Sequence, residues 1–156
     1  MTIFSFPDQV NERAARIVAT GVVVATVSAI ATQSAWLLPI LAAGFVLRWC
    51  FGPAVSPLAR LAVYVAPKLA AVRLVAGPPK RFAQAIGAVC FIAASFLVLV
   101  AQSNVGWAVA AVVAVCATLE AAAGFCMGCW IYGKLIGAGL VAAEHCDACA
   151  RVGAGR

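Results

Sequence analysis

Two long stretches that carry almost no charge decide what this chain can fold into. Residues 17–47 contain no Asp, Glu, Lys or Arg, and residues 82–133 contain Glu120 alone. A helix crosses the hydrocarbon core of a bilayer in about 20 residues, so each stretch is too long for one crossing and suits a tight hairpin of two. The sequence therefore predicts two transmembrane hairpins.

The composition agrees with a bilayer environment. Hydrophobic residues make up 65% of the chain and charged residues 10%, whereas soluble domains carry about 25% charged residues. So little polar surface cannot cover a soluble globule of 156 residues. We expect the lipid bilayer to be the main partner of this protein.

Polar turns divide both stretches. Residues 32–34 read Thr-Gln-Ser and residues 102–104 read Gln-Ser-Asn, and each turn is followed by a tryptophan, Trp36 or Trp107, a residue enriched at membrane interfaces. The predicted fold is an all-α, integral membrane four-helix bundle made of two hairpins. The four spans are expected near residues 15–32, 35–51, 82–101 and 105–125.

Both hairpins open toward the same side, and all eleven Lys and Arg residues lie there. Because basic residues stay in the cytoplasm, the N and C termini are expected to be cytoplasmic. The net charge of +6 is accounted for by this orientation, so no nucleic-acid partner is expected.

The loop between the hairpins is basic and rich in proline. From Pro57 onward it has the pattern of a helix lying in the interface, followed by Lys68 and Arg73. The same charges suit contact with anionic lipid or docking of a cytoplasmic partner.

The first helix is expected to begin near Asp8, with that residue as its N-cap. The predicted organisation is a cytoplasmic lead (1–14), the first hairpin (15–51), the basic interfacial loop (52–81), the second hairpin (82–129) and an interfacial segment with a cytoplasmic tail (130–156).

A Cys-x-x-Cys pair, Cys126 and Cys129, follows the expected fourth span. Cytoplasmic thiols are kept reduced, which favours a working dithiol over a structural disulfide. A helix N-terminus stabilises a thiolate and a helix C-terminus disfavours it. If Gly124 and Gly128 break the helix, a new helix starts beside Cys126 and activates the pair, with Lys134 adding positive charge. The alternative is a pair of apolar thiols that only pack at a helix crossing.

Glu120 is an acid inside an expected span, and such acids are candidates for function because their burial is costly. It is expected to serve as a proton relay or, more simply, in a polar contact between helices, with Arg48 or Arg81 among its candidate partners. Cys116 lies four residues earlier and is expected on the same face. On an unbroken helix Cys126, six positions later, would not share that face.

A second Cys-x-x-Cys pair in the tail raises the alternative of a metal site. Two such pairs separated by sixteen residues have the spacing of four-cysteine zinc sites. Cys50 and Cys90 are expected to be packing residues. The metal site would use Cys126, Cys129, Cys146, Cys149 and His145, and zinc would be its cofactor; the thiol hypothesis needs none.

Several short motifs, taken in order, resemble one family over about residues 7–135. They are VNE at 10–12 with AR at 15–16, FGP at 51–53, SPLARLA at 56–62, PKRFA at 79–83, and Glu120 followed by GFCMGC at 124–129. These residues resemble the family of unknown function DUF4395. The resemblance implies a small multi-span protein of the bacterial cytoplasmic (inner) membrane. More loosely, it implies company with thioredoxin-like and rhodanese-like proteins.

The sequence shows no Gly-rich phosphate loop, no Ser-His-Asp set and no paired soluble carboxylates, so a hydrolase or nucleotide enzyme is poorly supported. The leading hypothesis is a cytoplasm-facing thiol relay. In it Cys126 or Cys129 exchanges electrons or sulfane sulfur with a thioredoxin-like or rhodanese-like partner docked on residues 48–81. The alternatives are soft-metal binding or transport, and an accessory or scaffold subunit that packs in a membrane complex or with its own copies. Whether the protein is an enzyme stays open.

Overall fold

The structure is a computed structural model that describes residues 8–69 and 73–141. These two ranges contain six α-helices, one short 3-10 turn at Gly52–Ala54 and two short strands. In chain order the elements are β1 (Gln9–Asn11), α1 (Glu12–Ala31), α2 (Leu37–Phe51), α3 (Pro57–Leu69), β2 (Leu74–Ala76), α4 (Gly77–Leu99), α5 (Val105–Ala123) and α6 (Met127–Gly137).

Within the described residues, three helices are long and apolar enough to cross a membrane: α1, α4 and α5. Large hydrophobic side chains such as Val27, Phe96 and Val115 are exposed on their outer faces. Such faces suit contact with lipid rather than water. The fourth predicted span is not confirmed at full length, because α2 is apolar but has only 15 residues, fewer than the roughly 20 that a crossing takes.

Small residues let the long helices approach closely. Helix α2 packs on α4, α1 packs on α5, and α4 packs on α5. Ala88 and Ala94 of α4 and Ala110 of α5 are buried in the central cluster, where small side chains permit close backbone contact. The rings of Phe45 and Phe91, with centroids 5.4 Å apart, fill the space between α2 and α4.

The two predicted turns are confirmed, and they share one geometry. Gln33 and Gln102 both adopt a left-handed backbone, with φ of 52° and 51°. Each side-chain amide donates a hydrogen bond to the carbonyl three residues earlier, at Ile30 (2.8 Å) and Leu99 (3.3 Å). A left-handed residue after the last turn is a common way to end a helix. The likeness of the two hairpins therefore extends from sequence to backbone conformation.

The start of α1 differs from the prediction. Its N-cap is Asn11, whose side-chain oxygen accepts a hydrogen bond from the Arg13 N–H at 3.0 Å, and not Asp8. Asp8 instead uses its carbonyl to accept a hydrogen bond from the Gly77 N–H at 2.7 Å. This bond extends an antiparallel pairing of β1 with β2, centred on Val10 opposite Val75. The fold is thus helical with a two-stranded ribbon that joins the start of α1 to the start of α4.

The helix predicted in the loop is confirmed as α3. It begins at Pro57 and ends at Leu69. The sequence pattern extended the helix to Arg73, which lies outside α3 in the structure. Its buried residues Ala59 and Ala62 pack against Ala14 and Val18 of α1. This contact holds the loop against the basic end of the bundle, which we define as the end where α1 and α4 begin and α2 and α5 end.

Candidate functional site

The chain breaks its helix immediately before the Cys-x-x-Cys pair, as the activated form of that motif requires. Helix α5 ends at Ala123, and Gly124 adopts a left-handed backbone with φ of 69°. The Gly124 N–H donates to the Glu120 carbonyl at 3.0 Å and the Phe125 N–H donates to the Leu119 carbonyl at 3.3 Å. The first of these bonds, from a left-handed glycine to the carbonyl four residues earlier, is that of an αL helix end. Helix α6 then starts at Met127, with Cys126 as its N-cap.

Gly128 does not break the helix but lies in the first turn of α6. A Cβ atom there would meet the Cβ of Ala83 at 2.5 Å and its Cα at 2.6 Å. Glycine is therefore needed for the backbones of α6 and α4 to touch. The rings of Phe82 and Tyr132, with centroids 5.5 Å apart, extend the same contact. The first turn of α6 is thereby held against the first turns of α4.

Helix α1 fixes the end of α5 from the other side. The Arg16 guanidinium donates from Nε to the Ala121 carbonyl at 3.0 Å and from a terminal nitrogen to the Ala122 carbonyl at 2.6 Å. These carbonyls belong to the last turn, where no helical partner exists for them. The Glu12 carboxylate lies against Gly124, because a Cβ at that glycine would be 2.9 Å from it.

Glu120 pairs with Lys80, a partner that the sequence interpretation missed. The Lys80 ammonium forms an ion pair with the Glu120 carboxylate, and the two side chains are only 10% and 18% exposed. Of the two predicted partners, Arg81 instead donates to the Trp49 carbonyl at 3.3 Å. Arg48 interacts with Glu120 only electrostatically.

Arg48 is buried and has its own contacts. It donates to the Gln84 side-chain oxygen at 2.9 Å and to the Ser56 hydroxyl at 3.4 Å. Its guanidinium lies 4.5 Å from the centre of the Phe45 ring. Arg48 and Lys80 are thus two buried cations at the basic end, and of the two only Lys80 acts on the acidity of the thiols.

The sequence does contain a signal for Lys80. Helix α4 was expected to begin at residue 82, which would have left Lys80 in the loop, but it begins at Gly77. The buried positions of α4 include Gly87, Phe91 and Ala94, at helical spacing. Extending that face two turns back from Gly87 reaches Lys80.

The two thiols have different acidities. The pKa of Cys126 is lowered below its ordinary value, chiefly by the hydrogen bond from the Cys129 thiol. Lys80 lowers it further, while burial and the Glu120 carboxylate act in the opposite direction. The pKa of Cys129 is raised, first by that same hydrogen bond and then by burial. Cys126 is therefore the more acidic of the two thiols, and its position at the start of α6 favours a thiolate there.

A groove with a volume of about 420 Å³ reaches the thiols at the basic end. Cys129 is half-buried and Cys126 is 9% exposed, so a partner has to reach into the groove. Lys134, expected to add positive charge to the pair, is not among the groups that act on either thiol; its ammonium lies 5.5 Å from the centre of the Trp130 ring. The groove is lined by Glu12, Arg73, Val75, Ala76, Pro79, Lys80, Gly124, Phe125, Cys126, Cys129 and Trp130.

A second cavity, of about 160 Å³, lies between α4, α5 and α6. Glu120 and Cys126 both line it, because the break at Gly124 removes the separation that an unbroken helix would impose. Cys116 lines it too, on the same side of α5 as Glu120, as predicted. Cys90 of α4, expected to be a packing residue, is a further lining residue.

The metal alternative gains no support from the described ranges. They contain no group of three or more His, Cys, Asp or Glu side chains arranged to hold a metal ion. Cys146, Cys149 and His145 lie outside the described residues. The four-cysteine zinc site therefore stays a prediction.

Comparison with known proteins gives one match. The family model described as a domain of unknown function, DUF4395, matches residues 10–136. No curated protein and no solved structure matches the chain.

Proposed function

This chain belongs to the DUF4395 family, and we propose that it is a membrane-embedded thiol relay. In this relay Cys126 and Cys129 exchange electrons or sulfane sulfur with a soluble protein. The observation that carries the proposal is the placement of Cys126 at the N-cap of α6, within the field of Lys80, in a groove at the basic end. A helix start and a nearby cation are the two features that activate reactive cysteines.

The two thiols have different roles. The Cys126 thiolate attacks a disulfide of the partner, and one partner sulfur leaves as a thiolate. Cys129 then attacks the Cys126 sulfur, which forms the Cys126–Cys129 disulfide and releases the reduced partner. With a persulfide donor, Cys126 takes the outer sulfur atom and the donor leaves as a thiolate.

The shape of the groove suits a protein partner. Arg73, Val75 of β2 and Pro79 of α4 line one part of the groove, and Phe125 and Trp130 line another. A thioredoxin-like or rhodanese-like protein carries its own reactive cysteine, and such a protein would exchange with Cys126 by bringing that cysteine into the groove. With the positive-inside rule, the basic end faces the cytoplasm of a bacterial cell and the termini are cytoplasmic.

Trapping of a mixed disulfide tests the proposal. Cys129→Ser removes the resolving thiol, so the reduced variant should accumulate a mixed disulfide at Cys126 with an oxidised thioredoxin-like protein. Cys126→Ser should accumulate none. Cys50→Ser, a change outside the groove and the inner cavity, is the matched control and should behave as the unchanged protein. Mass spectrometry of the adduct identifies the linked cysteine.

The opposite outcome would be equal adducts in the Cys126→Ser and Cys129→Ser variants, which would overturn the relay. Incubation with a persulfide donor distinguishes a relay that transfers sulfane sulfur from one that exchanges only electrons. A mass increase of one sulfur atom at Cys126 in the Cys129→Ser variant indicates sulfur transfer, and its absence beside an intact mixed disulfide indicates electron exchange alone.

A further inference from the structure

Cys126 lies between two cavities that open in different directions. The groove at the basic end reaches it from one side, together with Cys129. The inner cavity between α4, α5 and α6 reaches it from the other side, and Cys129 is not among the residues that line that cavity. The more acidic thiol is therefore accessible by two routes, and a soluble protein can use only the first.

The inner cavity opens toward the bilayer. Val112, near the middle of the apolar helix α5, lines the cavity and is 63% exposed on the outer surface of the bundle. Ile86 and Ile131 are other apolar lining residues, while the polar atoms of Gln84 and Glu120 lie nearer the thiol end. A compound that enters here has to dissolve in hydrocarbon and carry polar atoms at one end.

From this arrangement we infer that the inner cavity takes the head group of a membrane quinone, which exchanges two electrons with the Cys126–Cys129 pair. The inference rests on the proposed thiol relay and names its second co-substrate. The volume of about 160 Å³ is far above the roughly 10–15 Å³ that one water needs. It suits a substituted six-membered ring whose isoprenoid tail stays in the lipid.

The two exchanges form a balanced cycle when the exchange in the groove runs in reverse: a reduced thioredoxin-like protein reduces the Cys126–Cys129 disulfide and becomes oxidised, and the quinone then oxidises the restored dithiol. The Cys126 thiolate adds to a ring carbon of the quinone, and Cys129 attacks the Cys126 sulfur to form the disulfide. The bond between sulfur and the ring then breaks, and its electron pair stays on the ring. The two protons of the original thiols complete the quinol. Gln84 donates a hydrogen bond to a ring carbonyl, and Glu120, which also lines the cavity, is held in its ion pair with Lys80.

The experiment uses the full chain in phospholipid nanodiscs, reduced and freed of reductant. Decylubiquinone is the probe, because its fully substituted ring does not add irreversibly to thiols. The expected result is one quinol formed for each Cys126–Cys129 disulfide, measured by absorbance and by mass spectrometry of the thiols. A variant with both cysteines changed to serine gives the background rate.

A pair of substitutions on one helix tests the route. Val112 and Val115 are exposed to 63% and 62%, but only Val112 lines the inner cavity. Val112→Trp should slow quinol formation about tenfold or more by blocking the entrance. Val115→Trp should not change it. Both variants should still react normally with an oxidised thioredoxin-like protein through the groove.

Each remaining outcome counts against a specific statement. Quinol formation no faster than background, with normal reaction through the groove, overturns this inference alone and leaves a lipid acyl chain as the occupant of the cavity. Equal slowing by Val112→Trp and Val115→Trp overturns the route through the bilayer. No reaction with either co-substrate overturns the proposed relay itself.

Discussion

Lys80 is a buried cation that acts on the acidity of the thiol pair. It is buried, it is paired with Glu120, and its charge favours the Cys126 thiolate, whereas the Glu120 carboxylate opposes that thiolate. The two partners of one ion pair therefore shift the same thiol in opposite directions. Glu120 outweighs Lys80 in this pair, and the hydrogen bond from the Cys129 thiol is the chief reason that the pKa of Cys126 lies below its ordinary value.

Substitutions in this ion pair should move the pKa of Cys126 in opposite directions. Lys80→Gln removes a favourable charge and should raise it, so that alkylation of Cys126 requires higher pH. Glu120→Gln removes an unfavourable charge and should lower it. Only the thiolate reacts, so below the pKa the rate of alkylation by iodoacetamide falls about tenfold per pH unit. The pH at half-maximal rate, followed at Cys126 by mass spectrometry, measures each shift.

Lys134→Gln is the matched control for Lys80→Gln. Both changes remove one lysine charge close to the pair in sequence or space, but Lys134 contacts the Trp130 ring and is not among the groups that shift the pKa of Cys126. In the Lys134→Gln variant, the pH at half-maximal alkylation of Cys126 should equal that of the unchanged protein. Shifts of the same size in the Lys80 and Lys134 variants would mean that the net charge of the protein, rather than the buried pair, sets the reactivity.

At the scale of elements, the contact of α6 with α4 positions the thiols beside Lys80. Gly128→Ala places a methyl group where Ala83 already lies, so α6 has to move away from α4. We expect thiol exchange to slow about tenfold or more, because small displacements of a reacting group are costly. Overpacking of this kind also lowers the free energy of unfolding by about 1–3 kcal/mol. Exchange rates and thermal unfolding in detergent measure the two effects.

Gly133→Ala supplies the control within the same helix. Among the described residues, no side chain and no backbone of another element lies within 4 Å of a Cβ at that position. Alanine in a helix interior is more stable than glycine by up to about 1 kcal/mol. Its exchange rate should be unchanged and its stability equal or higher. A loss of exchange as large as that of Gly128→Ala would show that any added side chain on α6 disturbs the site.

Local sequence patterns predicted the parts of this fold that local interactions determine. The turns at Gln33 and Gln102 and the start of α3 at Pro57 each follow from a few neighbouring residues. The helix break at Gly124 was one of two possibilities that the glycines left open. The ribbon of β1 and β2 was missed, because its strands are three residues long and far apart in the sequence. No periodicity can be read from three residues.

In the candidate site, too, the sequence predicted the residues that local patterns single out and missed the one that tertiary contacts bring in. Cys126, Cys129 and Glu120 are unusual residues at their positions, and each was identified from the sequence. Lys80 is one of several basic residues beside prolines, so its type gives no signal. Its importance comes from the true start of α4, which tertiary pairing of the ribbon helps to set.

At the scale of the whole molecule, the two turns lie opposite the basic end. With the orientation proposed above, a membrane-impermeant maleimide should label Thr32→Cys and Asn104→Cys in intact cells, because both positions are exposed in the turns. Arg60→Cys, exposed on α3, should be labelled only after the cells are opened. The changes are made in a background in which the seven native cysteines are replaced by serine.

The reverse labelling pattern would place the thiol groove outside the cytoplasm and would replace a cytoplasmic partner by an external one. Labelling of only one of the two turns in intact cells would contradict the arrangement of two hairpins. In that case α2, with its 15 residues, would be the element that does not cross.

The hydrogen bonds of Arg16 limit whether the Cys-x-x-Cys segment can be transferred to another protein. All thiols of the groove and the inner cavity lie at or after residue 90, yet the helix end that exposes them is capped by a side chain from α1, more than a hundred positions earlier. The Cys-x-x-Cys segment is therefore not a transplantable module. Moving residues 77–141 into another scaffold would transfer the cysteines without Arg16. The end of α5 would then lose the two hydrogen bonds that Arg16 donates to it.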